Sequence, residues 1–169
     1  MEPEEVWLAR LRRDVDFIQI REPEVSTGQL ARLVRSALVL GPRILVNDRI
    51  DVAIATGAAG VHLRDHSIAP SRVRAIAPAG VVITVAVHGV PVRGALDGAD
   101  YVLAAPVFRP RSKQDTREPL GLEGLRTIVE ASPIPVLALG GITEENAGEC
   151  LRYGAVGVAA ISLFGAESH

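Results

Sequence analysis

The stretch ILVNDRIDVAIATGAAGVHLRD, residues 44–65, carries the reading that decides the fold. It opens on an apolar run that ends in Asn47, Asp48 and Arg49, continues with a helical period, and turns at Gly57 into a second apolar run ending in Arg64 and Asp65. Neither run alternates strictly between apolar and polar residues. That is the pattern of parallel strands covered on both faces, with a helix crossing between them. Working outward, the motif repeats: IQIRE (18–22), VAVHG (85–89), LAAPVFRPRSK (103–113) and LALGGI (137–142) are again apolar runs that end in polar or glycine-rich clusters. The chain therefore reads strand, helix, strand, helix, an α/β fold with a parallel sheet, and chemistry is expected at the carboxyl ends of the strands.

Seven strands are expected, over 16–20, 43–46, 60–63, 81–87, 101–104, 136–139 and 157–160, with helical stretches between all of them. Ser26 is placed to N-cap a helix that Gly41 and Pro42 stop. Pro70 and Pro91 stand near two further helix starts, and Thr143 caps a helix over 144–153 that Gly154 ends. The longest irregular segment, 105–119, carries Arg109, Arg111, Lys113 and Arg117 with prolines at 106, 110 and 119. It reads as a basic, partly stiffened loop of the kind that covers a ligand, or as a solvated surface loop.

A chain of 169 residues, 48% hydrophobic but only 4% aromatic, with a formal net charge of -2, fits one soluble domain (1–169) with an aliphatic core. No nucleic-acid partner, no membrane segment and no secretory leader are expected, so the default location is the cytoplasm. The one cysteine, Cys150, excludes an intrachain disulfide and reads as a packing residue on a helix.

Several strand-end residues are candidates for chemistry. Gln19 and Arg21 share parity, so Arg21 can bind a phosphate or carboxylate, or else bridge to Glu22 or Asp48. Asn47 and Asp48 close the next strand, where an amide orients a ring and a carboxylate holds a hard cation, or where Asp48 caps a helix. His62 and His88 each end a strand and suit acid–base work near neutral pH, or a structural hydrogen bond. Gly140 and Gly141 let backbone N–H groups approach an anion closely, with Ser162 after the last strand as a second piece of a phosphate site.

Taken in order, DFIQIRE, LVNDRIDVA, GVHL, ADYVLAAPVF followed by SK, PVLALGGIT and GAVGVAAIS resemble the thiamine phosphate synthase and TenI family of (β/α)8 TIM-type barrels. The resemblance implies a synthase that joins a hydroxymethylpyrimidine diphosphate to a thiazole phosphate while magnesium holds the departing diphosphate. It matches Gln19 and Arg21 to the diphosphate site, Asn47 and Asp48 to the amide and metal-ligand positions, Lys113 to the lysine of a basic loop, and Gly141 to the thiazole-phosphate glycine.

Four positions depart from the synthase pattern. Pro23 stands for a lysine, Ser67 for the second acidic metal ligand, Ala86 for a serine and Pro110 for a threonine. Asp65 is the nearest acid to the missing metal ligand. These losses favour a TenI-like protein that isomerises a carboxylated thiazole phosphate, with magnesium required only if synthase activity is retained. The histidine of some TenI proteins aligns with Pro106, which leaves His62 or His88 as the acid or base. A noncatalytic binder of thiazole phosphate or thiamine phosphate is the third reading. The chain opens on a helix over 4–13 and stops after VAAISLFGAESH, so the first strand and last helix of the barrel are expected to be absent. The gap would expose strand edges and favour a homodimer. An open doubly wound sheet is the alternative fold.

Overall fold

In the computed structural model, which describes residues 15–41, 43–109, 117–161 and 163, seven strands form one sheet. They are β1 (Phe17–Ile20), β2 (Arg43–Asn47), β3 (Gly60–Leu63), β4 (Val82–Val87), β5 (Tyr101–Ala104), β6 (Val136–Leu139) and β7 (Gly157–Ala159). Every pairing is parallel, and the spatial order equals the chain order. A doubly wound sheet reverses its strand order at a switch point, whereas a barrel adds each strand beside the last. The sequential order therefore sets the doubly wound alternative aside and makes the sheet a curled partial barrel. Among the described residues, β1 and β7 each have one neighbouring strand. The expected helix over 4–13 lies outside the described residues.

Five helices cover the outer face: α1 (Thr27–Leu38), α2 (Ile50–Thr56), α3 (Pro70–Ile76), α4 (Gly121–Ala131) and α5 (Glu144–Arg152). Helix α1 begins where its cap residue dictates. The Ser26 hydroxyl accepts from the Gln29 N–H at 3.4 Å, and the Gln29 side chain accepts from the Ser26 N–H at 2.9 Å. Such a reciprocal box stabilises a helix by ~1 kcal/mol. Leu30, Val34 and Ala37 then fall on one helical face and pack with Ile20, Ile44, Val46 and Val52. A larger cluster joins Val61, Leu63, Ile83, Val85, Val102 and Val136 to Val73, Leu125, Ile128 and Cys150 on α3, α4 and α5. Cys150 is buried, as expected of a packing residue, and burial pushes its thiol pKa up. No helix of the described residues is long and apolar enough to cross a membrane.

With those strand residues turned toward the helices, period-two alternation puts Gln19, Leu45, Asn47, His62, Thr84 and Leu103 on the opposite, concave face. The register keeps polar members side by side, with Asn47 opposite His62 and His62 opposite Thr84.

One expected helix does not form. Between β4 and β5, residues 93–98 are successive turns, closed by the Ala95 N–H to the Val92 carbonyl and the Ala99 N–H to the Leu96 carbonyl, both at 3.0 Å. Gly94 and Gly98 adopt φ of 82° and 88°, left-handed conformations that interrupt a right-handed helix. Arg74 fastens this segment from α3. Its guanidinium donates to the carbonyls of Val81 at 2.8 Å and Gly98 at 3.1 Å and to the Asp100 carboxylate at 2.6 Å. Asp100 in turn accepts from the Ile83 N–H at 2.7 Å.

Candidate active site

The carboxyl ends of β1, β2 and β3 bring the first group of predicted residues together. Gln19 donates from Nε2 to the Asn47 Oδ1 at 2.9 Å, so two amides from adjacent strands form a bonded pair. Asn47 donates onward from Nδ2 to the Asp48 carboxylate at 3.1 Å. Asp48 sits just past β2 at φ 56°, a left-handed conformation that aspartate tolerates better than most residues. Its carboxylate also accepts from the Arg64 backbone N–H at 3.1 Å, the Arg64 Nε and the Ser67 hydroxyl. Burial alone would raise the Asp48 carboxyl, but the hydrogen bonds from Ser67 and Arg64 hold it below the ordinary carboxylate value. The helix after it takes Arg49 as its N-cap residue with no side-chain cap bond, so Asp48 does not cap α2. Arg21 is exposed at the end of β1 and makes no ion pair among the described residues.

His62, the register partner of Asn47, is the buried member of this group. It is 4% exposed, and its Nδ1 shares a 2.8 Å hydrogen bond with the hydroxyl of Thr84, itself 2% exposed. Burial lowers its pKa to about 4, Asp48 acts in the opposite direction, and the guanidinium fields of Arg21 and Arg64 lower it further. A neutral imidazole beneath a group of charges is therefore the resting state at neutral pH.

His88, just past β4, belongs to a second group. Its Nδ1 meets the Ala105 carbonyl, its Nε2 stands 3.3 Å from the Asp65 carboxylate, and Arg117 reaches the same ring. A carboxylate beside an imidazole at a strand end is an arrangement able to hold and pass a proton. Asp65 is thus turned toward His88 and His66.

Gly140 and Gly141 end β6 at φ 100° and 63°. A Cβ at Gly140 would lie 2.7 Å from the Pro106 Cα, and one at Gly141 would lie 2.7 Å from the Arg109 carbonyl oxygen. The glycines therefore admit the backbone of 106–109, and the Val107 and Phe108 N–H groups donate to the carbonyls of Leu139 and Gly140 at 2.8 and 3.0 Å. The carbonyls of Pro106 and Val107 accept from the N–H groups of Leu120 and Gly121 at 2.8 and 2.9 Å, which ties both ends of the basic segment together. The Gly-Gly turn leads into α5, whose Thr143 and Asn146 form a capping box. Lys113, Pro110 and Ser162 lie outside the described residues.

Magnesium fits this donor set poorly. A hard divalent cation is bound by several oxygens, usually with more than one carboxylate. Here Asp48 already accepts from four donors, Ser67 stands where the second acid is expected, and Asp65 faces histidine. Among the described residues, no group of three or more His, Cys, Asp or Glu side chains is placed to hold a metal ion.

Residues 2–164 match the family model described as thiamine monophosphate synthase. The chain belongs to the thiamine monophosphate synthase family. A thiamine-phosphate synthase from Methanoregula boonei is 39% identical over 153 residues, covering 87% of this chain and 71% of that protein. A putative thiamine-phosphate synthase from Aquifex aeolicus is 34% identical over 160 residues, covering 91% of this chain and 85% of that protein. Among solved structures, a thiamine phosphate pyrophosphorylase from Pyrococcus furiosus superposes with a TM-score of 0.81 at 32% identity, covering 98% of this chain and 82% of that one. These names fit a synthase better than the TenI-type isomerase expected from the four departures.

Sequence reasoning missed two neighbours of the candidate residues, Arg64 and Thr84, and named Arg117 only as one cation of the basic segment. The signal for Arg64 was its position directly after GVHL, at a strand end beside Asp48 in the neighbouring loop. Thr84 was detectable as the polar residue within the apolar run VITVAV.

Proposed function

We propose that this protein joins a hydroxymethylpyrimidine diphosphate to a thiazole phosphate and releases diphosphate. The observation that carries the reading is the bonded Gln19–Asn47 amide pair, whose Asn47 also donates to the Asp48 carboxylate that engages Arg64, in a chain belonging to the thiamine monophosphate synthase family. In the reaction the bond between the pyrimidine's exocyclic carbon and a diphosphate oxygen breaks, and the thiazole takes that carbon. Negative charge gathers on the departing diphosphate, where fixed guanidinium groups stabilise it. The amide pair orients the pyrimidine ring. The turn at Gly140 and Gly141 and the start of α5 receive the thiazole phosphate, and Ser162 and Lys113 contribute to phosphate binding. His62 is a neutral support beneath the amides. The protein acts on small phosphorylated molecules and needs no nucleic acid or membrane for this chemistry.

A second reading, isomerisation of a carboxylated thiazole phosphate, is favoured by the Asp65–His88 pair, which would supply the proton transfer. Incubation of the full chain with pyrimidine diphosphate and thiazole phosphate, followed by mass spectrometry, is expected to yield thiamine phosphate. Conversion of the carboxylated thiazole phosphate alone, without thiamine phosphate in the first tube, would replace the first reading by the second.

A further inference from the structure

The Asp48 pocket holds a cation that belongs to the chain itself. The carboxylate expected to bind a metal accepts from the Arg64 backbone N–H and Nε and from Ser67, and the second acid of a metal pair is absent. Arg64 is anchored by Nε alone, and among the described residues its Nη groups donate to nothing. Its side chain is 57% exposed, so those donors face solvent at the carboxyl end of the sheet. Arg21 stands exposed at the end of β1, the strand that neighbours β2 and the Asp48 that holds Arg64. Exposed guanidinium forks at these strand ends can grip a diphosphate bidentately.

We propose that Arg64 takes the position and charge role of the divalent cation, so that the protein binds the diphosphate group without metal. The inference rests on the synthase reading and deepens it. Asp48 then serves to position a guanidinium rather than to ligate a metal, and Ser67 completes that positioning by donating its hydroxyl to the same carboxylate. A carboxylate at 67 beside an arginine at 64 would form a competing ion pair. The residues at 64 and 67 therefore work as a matched pair.

The test is calorimetric titration of the full chain with inorganic pyrophosphate, once in EDTA and once with magnesium in excess over pyrophosphate. Binding in EDTA is expected, with magnesium changing the dissociation constant less than about threefold. Arg64→Gly is expected to weaken binding in EDTA by at least about tenfold, the loss of one charge-assisted contact. Arg64→Gly combined with Ser67→Asp is expected to bind only when magnesium is present. Arg64 is exposed and Ser67 half-buried in the loop after β3, and a thermal melt of each variant checks that it is folded. Binding by the wild type that requires magnesium, or undiminished binding by Arg64→Gly in EDTA, overturns the inference and leaves the synthase reading standing. No pyrophosphate binding in either buffer overturns both.

Discussion

Acid should destabilise this protein through His62, and the size of the effect follows from the site. The ring is buried and bonded to Thr84, and its pKa falls from the ordinary 6.5 to about 4. Below pH 6.5 the unfolded chain therefore binds a proton that the folded protein refuses until pH falls to about 4. Stability present at neutral pH is lost over that interval at ~1.4 kcal/mol per pH unit, or ~3 kcal/mol in all. Asp48 behaves in another window. Its carboxyl is held below 3.8, so its contribution is complete above that value and is lost only at lower pH. Urea unfolding at intervals from pH 7 to pH 4.5 should show the loss in the wild type. His62→Gln removes the titrating group while keeping an amide able to meet Thr84, and its stability should change by ~2 kcal/mol less over the same range. Parallel loss in wild type and variant would refute the burial argument. A His62→Gln protein that folds but loses turnover at pH 8, with substrate binding intact, would refute the supporting role given to the ring.

Gly141→Ala must force a Cβ to within 2.7 Å of the Arg109 carbonyl oxygen at a left-handed φ, so a drop of several degrees in melting temperature and at least about tenfold weaker thiazole phosphate binding are expected. Differential scanning calorimetry and titration with thiazole phosphate measure the two. Arg74→Ala removes three contacts that fasten the segment before β5 and should cost ~1–3 kcal/mol in urea unfolding. Its kcat at 25 °C should be unchanged, because the clamp lies away from the strand ends that carry the site. Under the second functional reading, Asp65→Asn and His88→Asn should each abolish isomerisation of the carboxylated thiazole phosphate. Under the first, both should leave pyrophosphate affinity within about threefold.

The strands were legible because each is a short Val-, Ile- and Leu-rich run bounded by residues that cannot continue it. The boundaries of β3, β5 and β6 coincide with the expected ones, and β1, β2, β4 and β7 differ by one residue at one end. The segment after β4 was misread because Pro91 resembles a helix start, whereas the outcome is decided by two glycines at positive φ and by Arg74, whose acceptors Gly98 and Asp100 lie 24 and 26 residues further along the chain. In the site, strand-end position singled out Gln19 and Asn47 separately, at the ends of successive strands, while the bond between their amides was not legible. The partner of Asp48 was not legible. Choosing Arg64 over Arg21 depends on the loop geometry after β3, which no local pattern encodes. For the two histidines, the deciding quantity is depth: His62 points down the concave face from within β3, while His88 follows its strand and meets the next loop.

The neck beneath the basic segment has a consequence for how the protein can vary. Val107 is bonded to β6 on one side and to the start of α4 on the other, and Pro106 to Leu120, so departure and return are stitched to the same two residues. The excursion is an exchangeable cartridge: its length and charge can be rewritten to suit a different phosphorylated substrate while the strands that hold Gln19, Asn47 and the Gly140–Gly141 turn keep their register.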